Sequence, residues 1–226
     1  MASVYGQKVE SAEKQKFIGR LIVRRLLKAI VPDEIVQVRR MLLEAVRWRR
    51  RSFAPPSPHY IKRRLLGRYS KPDVTWIETG TYLGDTSAFL ARISSRVFTI
   101  EPDGELFRRA VKRFAANKKI SVIGEPSEEA LPQLLPQIQG QVCFWLDGHY
   151  SGLRTFEGSV HTPIKAELAA IELHIDRFKE VTILIDDVRL FADQSEDYPP
   201  LDYIVDWARR LGLAWSIEHD IFVAKK

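Results

Sequence analysis

The sequence predicts an α/β fold: a doubly wound, seven-stranded, mostly parallel sheet that ends in a C-terminal β-hairpin and follows a basic helical arm. Three observations lead there. From Asp73 onward, short apolar runs alternate with segments of helical periodicity, the pattern of parallel strands joined by crossover helices. Four of these runs end in acidic residues, at Glu78, Glu101, Asp147 and Asp186-Asp187, which sets carboxylates along one edge of the sheet. Charge also divides the chain. Residues 1–72 hold 18 Lys and Arg against 5 Asp and Glu, whereas residues 73–226 hold 17 against 24. The net charge of +6 thus conceals a basic arm, 1–72, joined to an acidic domain, 73–226, near Ser70-Lys71-Pro72-Asp73.

In the arm, Phe17, Ile18, Leu21, Ile22, Leu26 and Ile30 recur at helical spacing with Arg20, Arg24, Arg25 and Lys28 between them. Val31-Pro32-Asp33 interrupts this helix, and Asp33 is placed to cap a second one running to about Arg51. Ile35, Val38, Leu42, Leu43 and Val46 form its apolar side, and Arg47-Trp48-Arg49-Arg50-Arg51 its end. Ser52 to Pro58 reads as a proline-rich linker, and Pro58 to Leu66 as a last short helix. Such an arm has three readings. It packs its stripe on the domain or on a second subunit, making a homo-oligomer. It docks residues 13–51 on an anionic membrane, where each Lys or Arg is worth about 1 kcal/mol. Or it binds nucleic acid, with Trp48 and Tyr60 as stacking platforms, which is disfavoured because no nucleic-acid-binding motif is visible.

The domain then runs in order. Val74 to Glu78 is the first strand, and helix 86–94 follows the glycine turn, with Asp85-Thr86-Ser87 as its cap. Strand 97–101 leads to a helix through Leu106, Val111 and Phe114; strand 120–123 leads past Gly124 to a helix near 127–135. Strand 142–146 ends in Asp147, and helix 162–176 carries Pro163 in its first turn. Strand 181–185, a helix near 201–211 and the runs 214–218 and 221–224 complete the chain. Only His219-Asp220 separates those last runs, so they form a hairpin.

Composition limits the function classes. The single cysteine, Cys143, lies inside the apolar run Val142–Leu146, which excludes a disulfide framework and suits a reducing, cytoplasmic setting. The N-terminus lacks the apolar block of a signal peptide, and no run of about 18 apolar residues could span a bilayer.

The stretch Val74-Thr-Trp-Ile-Glu-Thr-Gly-Thr-Tyr-Leu-Gly-Asp-Thr-Ser87 resembles the first motif of the class I S-adenosylmethionine-dependent methyltransferases, whose fold is Rossmann-like. Glu78, Gly80 and Gly84 match, while Tyr82 stands where the fuller motif has its middle glycine. The resemblance implies that Glu78, Gly80, Thr81, Tyr82, Gly84, Thr86 and Ser87 flank the methionine end of the cofactor. Glu101, followed by Pro102, would take the ribose diol, a role that suits a carboxylate at a strand tip. Gly124, Glu125 and Ser127 would lie near the adenine; Ser127 also reads as a helix N-cap.

Asp147 with Asp186-Asp187 is a set of hard oxygen ligands at neighbouring strand ends and suits Mg²⁺. Leu146-Asp-Gly148 and Asp186-Asp187 are similar to motifs of the metal-dependent macrocin and novobiocin sugar O-methyltransferases. That likeness implies methylation of a sugar or glycan hydroxyl, with Asp147, Asp186 and Asp187 on Mg²⁺ and Asp147 also beside the cofactor. Acceptors of other classes, nucleic acid included, and a non-catalytic binding module are the alternatives on the same fold. The long glycine-containing segment after Asp147 is placed to fold over the acceptor. Within it His149 is the candidate general base, because its pKa lies near neutrality. Tyr150, Arg154 and His161, with Arg189, are candidates for substrate recognition.

Overall fold

The apolar runs all become strands of one sheet: β1 Thr75–Thr79, β2 Arg96–Ile100, β3 Ile120–Ile123, β4 Gly140–Leu146, β5 Phe178–Ile185, β6 Ala214–Glu218 and β7 Ile221–Lys225. The structure, a computed structural model, describes residues 33–147, 162–192 and 198–226; the predicted helix 13–30 lies outside them. Across the sheet the order is β3-β2-β1-β4-β5-β7-β6. All pairs are parallel except those made by β7, which is antiparallel to both β5 and β6. A two-residue link joins only antiparallel strands, and His219 and Asp220 both take the positive φ that such a turn requires.

Parallel neighbours need crossovers. These are supplied by α3 Asp85–Ile93, α4 Gly104–Phe114, α5 Ser127–Leu134, α6 Ile164–His174, the short α7 Arg189–Ala192 and α8 Leu201–Arg210, numbered after two helices described below. From β1 the chain builds outward to β2 and β3, then returns to build β4 and β5 on the other side. That reversal opens a crevice beyond the carboxyl ends of β1 and β4, the place where ligands bind in open α/β sheets.

Residues adjacent in a strand face opposite sides of the sheet, and in β1, β2, β4, β5 and β7 both sides are mostly buried, whereas the edge strand β6 is exposed. Ile77, Phe144, Leu146, Ile183 and Ile185 pack with Leu131, Leu168 and Trp207 on one side. Trp76, Trp145, Leu184 and Val223 pack with Leu65, Leu66, Leu90 and Phe114 on the other. Burial on both faces is why these strands read as continuous apolar runs rather than alternating ones.

Leu65 and Leu66 belong to α2, His59–Tyr69. The chain divides into compact units at Phe53–Ala54, so residues 54–72, which charge assigns to the arm, are part of the sheet unit. Charge counts the exposed side of α2, whereas its two buried leucines decide where it packs. In the preceding unit, α1 spans Asp33–Arg50 and leaves Val38, Met41, Leu42, Leu43 and Val46 between 41% and 58% exposed. Trp48 and Phe53 meet edge-on there, with ring centroids 5.0 Å apart.

Three expected helix starts differ in detail. Gly84, in the left-handed region, is the N-cap of α3 and no side-chain cap bond forms, so Asp85-Thr86-Ser87 is not a cap. Pro126 rather than Ser127 precedes α5, again without a cap bond. Pro163 stands just before α6 instead of inside its first turn.

Candidate functional site

The turn after β1 is held by backbone. The Gly80 and Thr81 N–H groups both donate to the carbonyl of Ile100, at 3.0 and 3.2 Å, which ties the turn to the tip of β2. Gly80, Tyr82 and Gly84 all have positive φ, conformations that favour glycine at the outer two positions. A β-carbon on Gly84 would stand 2.6 and 2.8 Å from ring atoms of Phe114, so this glycine admits the helix α4. Tyr82 is exposed, and Thr81 is buried with its hydroxyl 2.5 Å from that of Thr99.

Glu78 lies beneath this turn, inside β1, and is 1% exposed. One carboxylate oxygen accepts from the hydroxyls of Ser87 and Thr99, the latter at 2.7 Å. The other oxygen, Oε1, is buried without a hydrogen-bond partner. Burial pushes the carboxyl up to about 7, with the two hydroxyl bonds opposing it. Ser87, expected to cap α3 or touch the cofactor, is thus turned inward onto Glu78. Thr86, beside it, is half-buried.

Glu101 is positioned at the tip of β2. One oxygen accepts from the Tyr82 N–H at 2.7 Å and the other from the Asp103 N–H at 3.1 Å. Asp103 in turn caps α4, accepting from the N–H groups of Glu105 and Leu106 at 2.9 and 2.8 Å. The carboxylate is therefore fixed between the glycine turn and a capped helix, and each oxygen keeps a further lone pair. Burial raises its pKa from the ordinary value. Its own N–H bonds Ile123 O at 2.9 Å, which brings the end of β3 alongside. There Gly124 and Glu125 are exposed, Ser127 is buried and Pro102 is half-buried. The Gly124 position is crowded: a β-carbon would meet the Phe107 ring at 2.9 Å. A turn of positive-φ residues, an oriented carboxylate at the neighbouring strand tip and a buried carboxylate oxygen without a partner together fit an S-adenosyl nucleoside.

On the other side of the crevice, Asp147, Asp186 and Asp187 present oxygens within 4.8 Å of one another. The sequence reading placed these three together, and the parallel pairing Leu146↔Ile185 explains why. It missed what holds them. Lys62 of α2 donates from Nζ to Asp186 Oδ2 and, at 3.4 Å, to Asp187 Oδ1. Arg189 donates to the same Asp187 oxygen at 2.6 Å and to Asp220. Asp186 Oδ1 accepts the Asp187 N–H at 2.9 Å, so both of its oxygens are engaged. Desolvation works against the Lys62 charge, but Asp186, Asp187 and Asp147 outweigh it and its pKa is raised. Burial pushes the Asp186 carboxyl up, with the charge of Lys62 the main opposing influence.

A divalent ion therefore does not fit the trio as it stands, because the Lys62 ammonium sits on Asp186 and on the Asp187 oxygen that Arg189 also holds. Arg189, expected to recognise substrate, bridges Asp187 and Asp220. One signal for Lys62 was available: it lies three and four residues before Leu65 and Leu66, hence on their buried side of the helix. Asp220 gave no signal. His149, Tyr150, Arg154 and His161 lie outside the described residues.

No family model matches the chain, and no curated protein does. Solved structures do. A protein from Streptococcus mutans described as a methyltransferase, in complex with SAH, aligns with a TM-score of 0.50 at 12% identity, covering 76% of this chain and 98% of that one. A protein from Clostridium thermocellum described as an rRNA methylase aligns equally, with a TM-score of 0.50 at 11% identity over 76% and 97% of the two chains. The seven-stranded fold with its terminal antiparallel hairpin is thus the one these methyltransferases adopt.

Proposed function

We propose that this chain is an S-adenosylmethionine-dependent methyltransferase that methylates a hydroxyl of a sugar or glycan. The observation that carries the reading is the pair of carboxylate sites on either side of one crevice: Glu101 beside the glycine turn, and Asp147 with Asp186 and Asp187 across the β1–β4 switch point. The first suits the ribose diol and the second a polyhydroxyl acceptor. When bound, S-adenosylmethionine would supply a methyl group activated on sulfonium sulfur, to be attacked in line by the acceptor oxygen as the carbon–sulfur bond breaks and S-adenosylhomocysteine leaves. This chain's share is positioning and proton removal. Glu101 orients the nucleoside, and the turn Gly80–Gly84 brings backbone close to the methionine end. Asp147 is the acidic residue of the trio that stays half-exposed, and it faces the acceptor. The hydroxyl proton passes to His149 or, in its absence, to Asp147. Mg²⁺, which the likeness to sugar O-methyltransferases implies, is excluded from this reading while Lys62 holds Asp186. The apolar side of α1, exposed among arginines, supports peripheral docking of residues 13–51 on an anionic membrane where lipid-linked glycans are made, or pairing with a second copy.

Calorimetric titration with S-adenosylmethionine tests the core of the reading. Micromolar binding is expected, weakened at least about tenfold in Glu101→Ala, the loss of about 1.4 kcal/mol that one ribose contact supplies. No binding at millimolar cofactor overturns it in favour of a binding module.

A further inference from the structure

The geometry points to Lys62 as the built-in cation of the three-aspartate site: a divalent ion enters only by displacing its ammonium. Four observations support this. The trio is the only group of three or more potential metal-binding side chains among the described residues, and Lys62 sits in it. The Asp186 side chain is fully covered and Lys62 is 14% exposed, so the pair is shielded from the solvent that weakens surface ion pairs. The helix holds the ammonium in place, since Leu65 and Leu66, one turn on from Lys62, are each 1% exposed in the core of the sheet unit. Finally, Arg189 bridges Asp187 to Asp220 and shares the Asp187 oxygen that Lys62 reaches, so a metal would compete with two cations for that carboxylate.

Mg²⁺ dehydrates reluctantly and keeps several waters of its own. Entering here, it would have to part the Lys62–Asp186 contact and make room for those waters beside a covered side chain. The ammonium has already supplied the positive charge that brings the carboxylates together, and it does so without a hydration shell to accommodate. This inference concerns the resting site and holds whether or not methyl transfer is the reaction.

Mn²⁺ serves as the probe, followed by the electron-spin-resonance signal of the free ion and by calorimetry. The intact 226-residue chain is expected to bind no Mn²⁺ at the trio below millimolar concentration. Lys62→Met, which keeps the apolar stem and removes the charge, is expected to bind at least tenfold more tightly, and adding Asp186→Asn to it should abolish the gain. Equal Mn²⁺ affinity in wild type and Lys62→Met overturns the proposal. Should Lys62→Met not fold, acetylation of wild-type lysines with and without Mn²⁺ decides the matter. Lys62 protected at all Mn²⁺ concentrations without binding, or becoming reactive as Mn²⁺ binds, agrees with displacement. Mn²⁺ bound at the trio with Lys62 still protected refutes it.

Discussion

Replacing Glu78 by Gln should remove a pH dependence from the stability of the fold. Burial moves this carboxyl from an ordinary 4.5 to about 7. The folded chain therefore holds the proton more tightly than the unfolded chain does. Between these two values the unfolded state ionises first, so stability falls as pH rises from about 4.5 to about 7 and levels off above. A shift of roughly 2.5 units at 1.36 kcal/mol each makes the loss about 3 kcal/mol. Glutamine has the same shape, and its carbonyl oxygen can accept the Ser87 and Thr99 hydroxyls. Its amide then lies where Oε1 is buried without a partner, an offset of about 1–3 kcal/mol that does not vary with pH. Urea unfolding of both proteins at pH 4 and pH 8 isolates the effect, because other titrating groups cancel in the difference. The variant should gain about 3 kcal/mol relative to wild type on going to pH 8. A difference that stays constant with pH would falsify the assignment of a protonated, buried Glu78.

Other perturbations follow from the same geometry. Gly84→Ala forces a β-carbon onto the Phe114 ring at positive φ; backbone strain and overpacking together should cost about 2–5 kcal/mol, read as a lower urea midpoint. Leu66→Ala should cost a similar 2–5 kcal/mol, since the side chain is 1% exposed, and by loosening α2 it should make Lys62 reactive to acetylation. Asp147→Ala should abolish methyl transfer while leaving cofactor affinity within about twofold of wild type; retained turnover would remove Asp147 from the chemistry. Deleting residues 1–50 should end sedimentation with anionic vesicles if α1 docks on membranes, and leave it unchanged if α1 pairs with a second copy.

Much of the fold could be read from the chain because its signals are local. Apolar runs of strand length mark β1 to β5, Gly80 and Gly84 mark a turn that needs positive φ, and a two-residue link dictates an antiparallel hairpin. The acidic strand ends were legible for the same reason, and parallel register alone brings Asp147 next to Asp186 and Asp187. What the tertiary structure decided is which groups each carboxylate meets. Glu78 and Glu101 look alike in sequence, yet pleating sends the first beneath the turn onto Ser87 and Thr99 and leaves the second at the strand tip on backbone N–H groups. Lys62 reads as one of a run of basic residues in the arm. Only the packing of Leu65 and Leu66 carries it to a partner 124 positions away, where it occupies the site that spacing had reserved for a metal. Local pattern specifies elements; burial on a shared face, which no local pattern records, selects the partners of their charges.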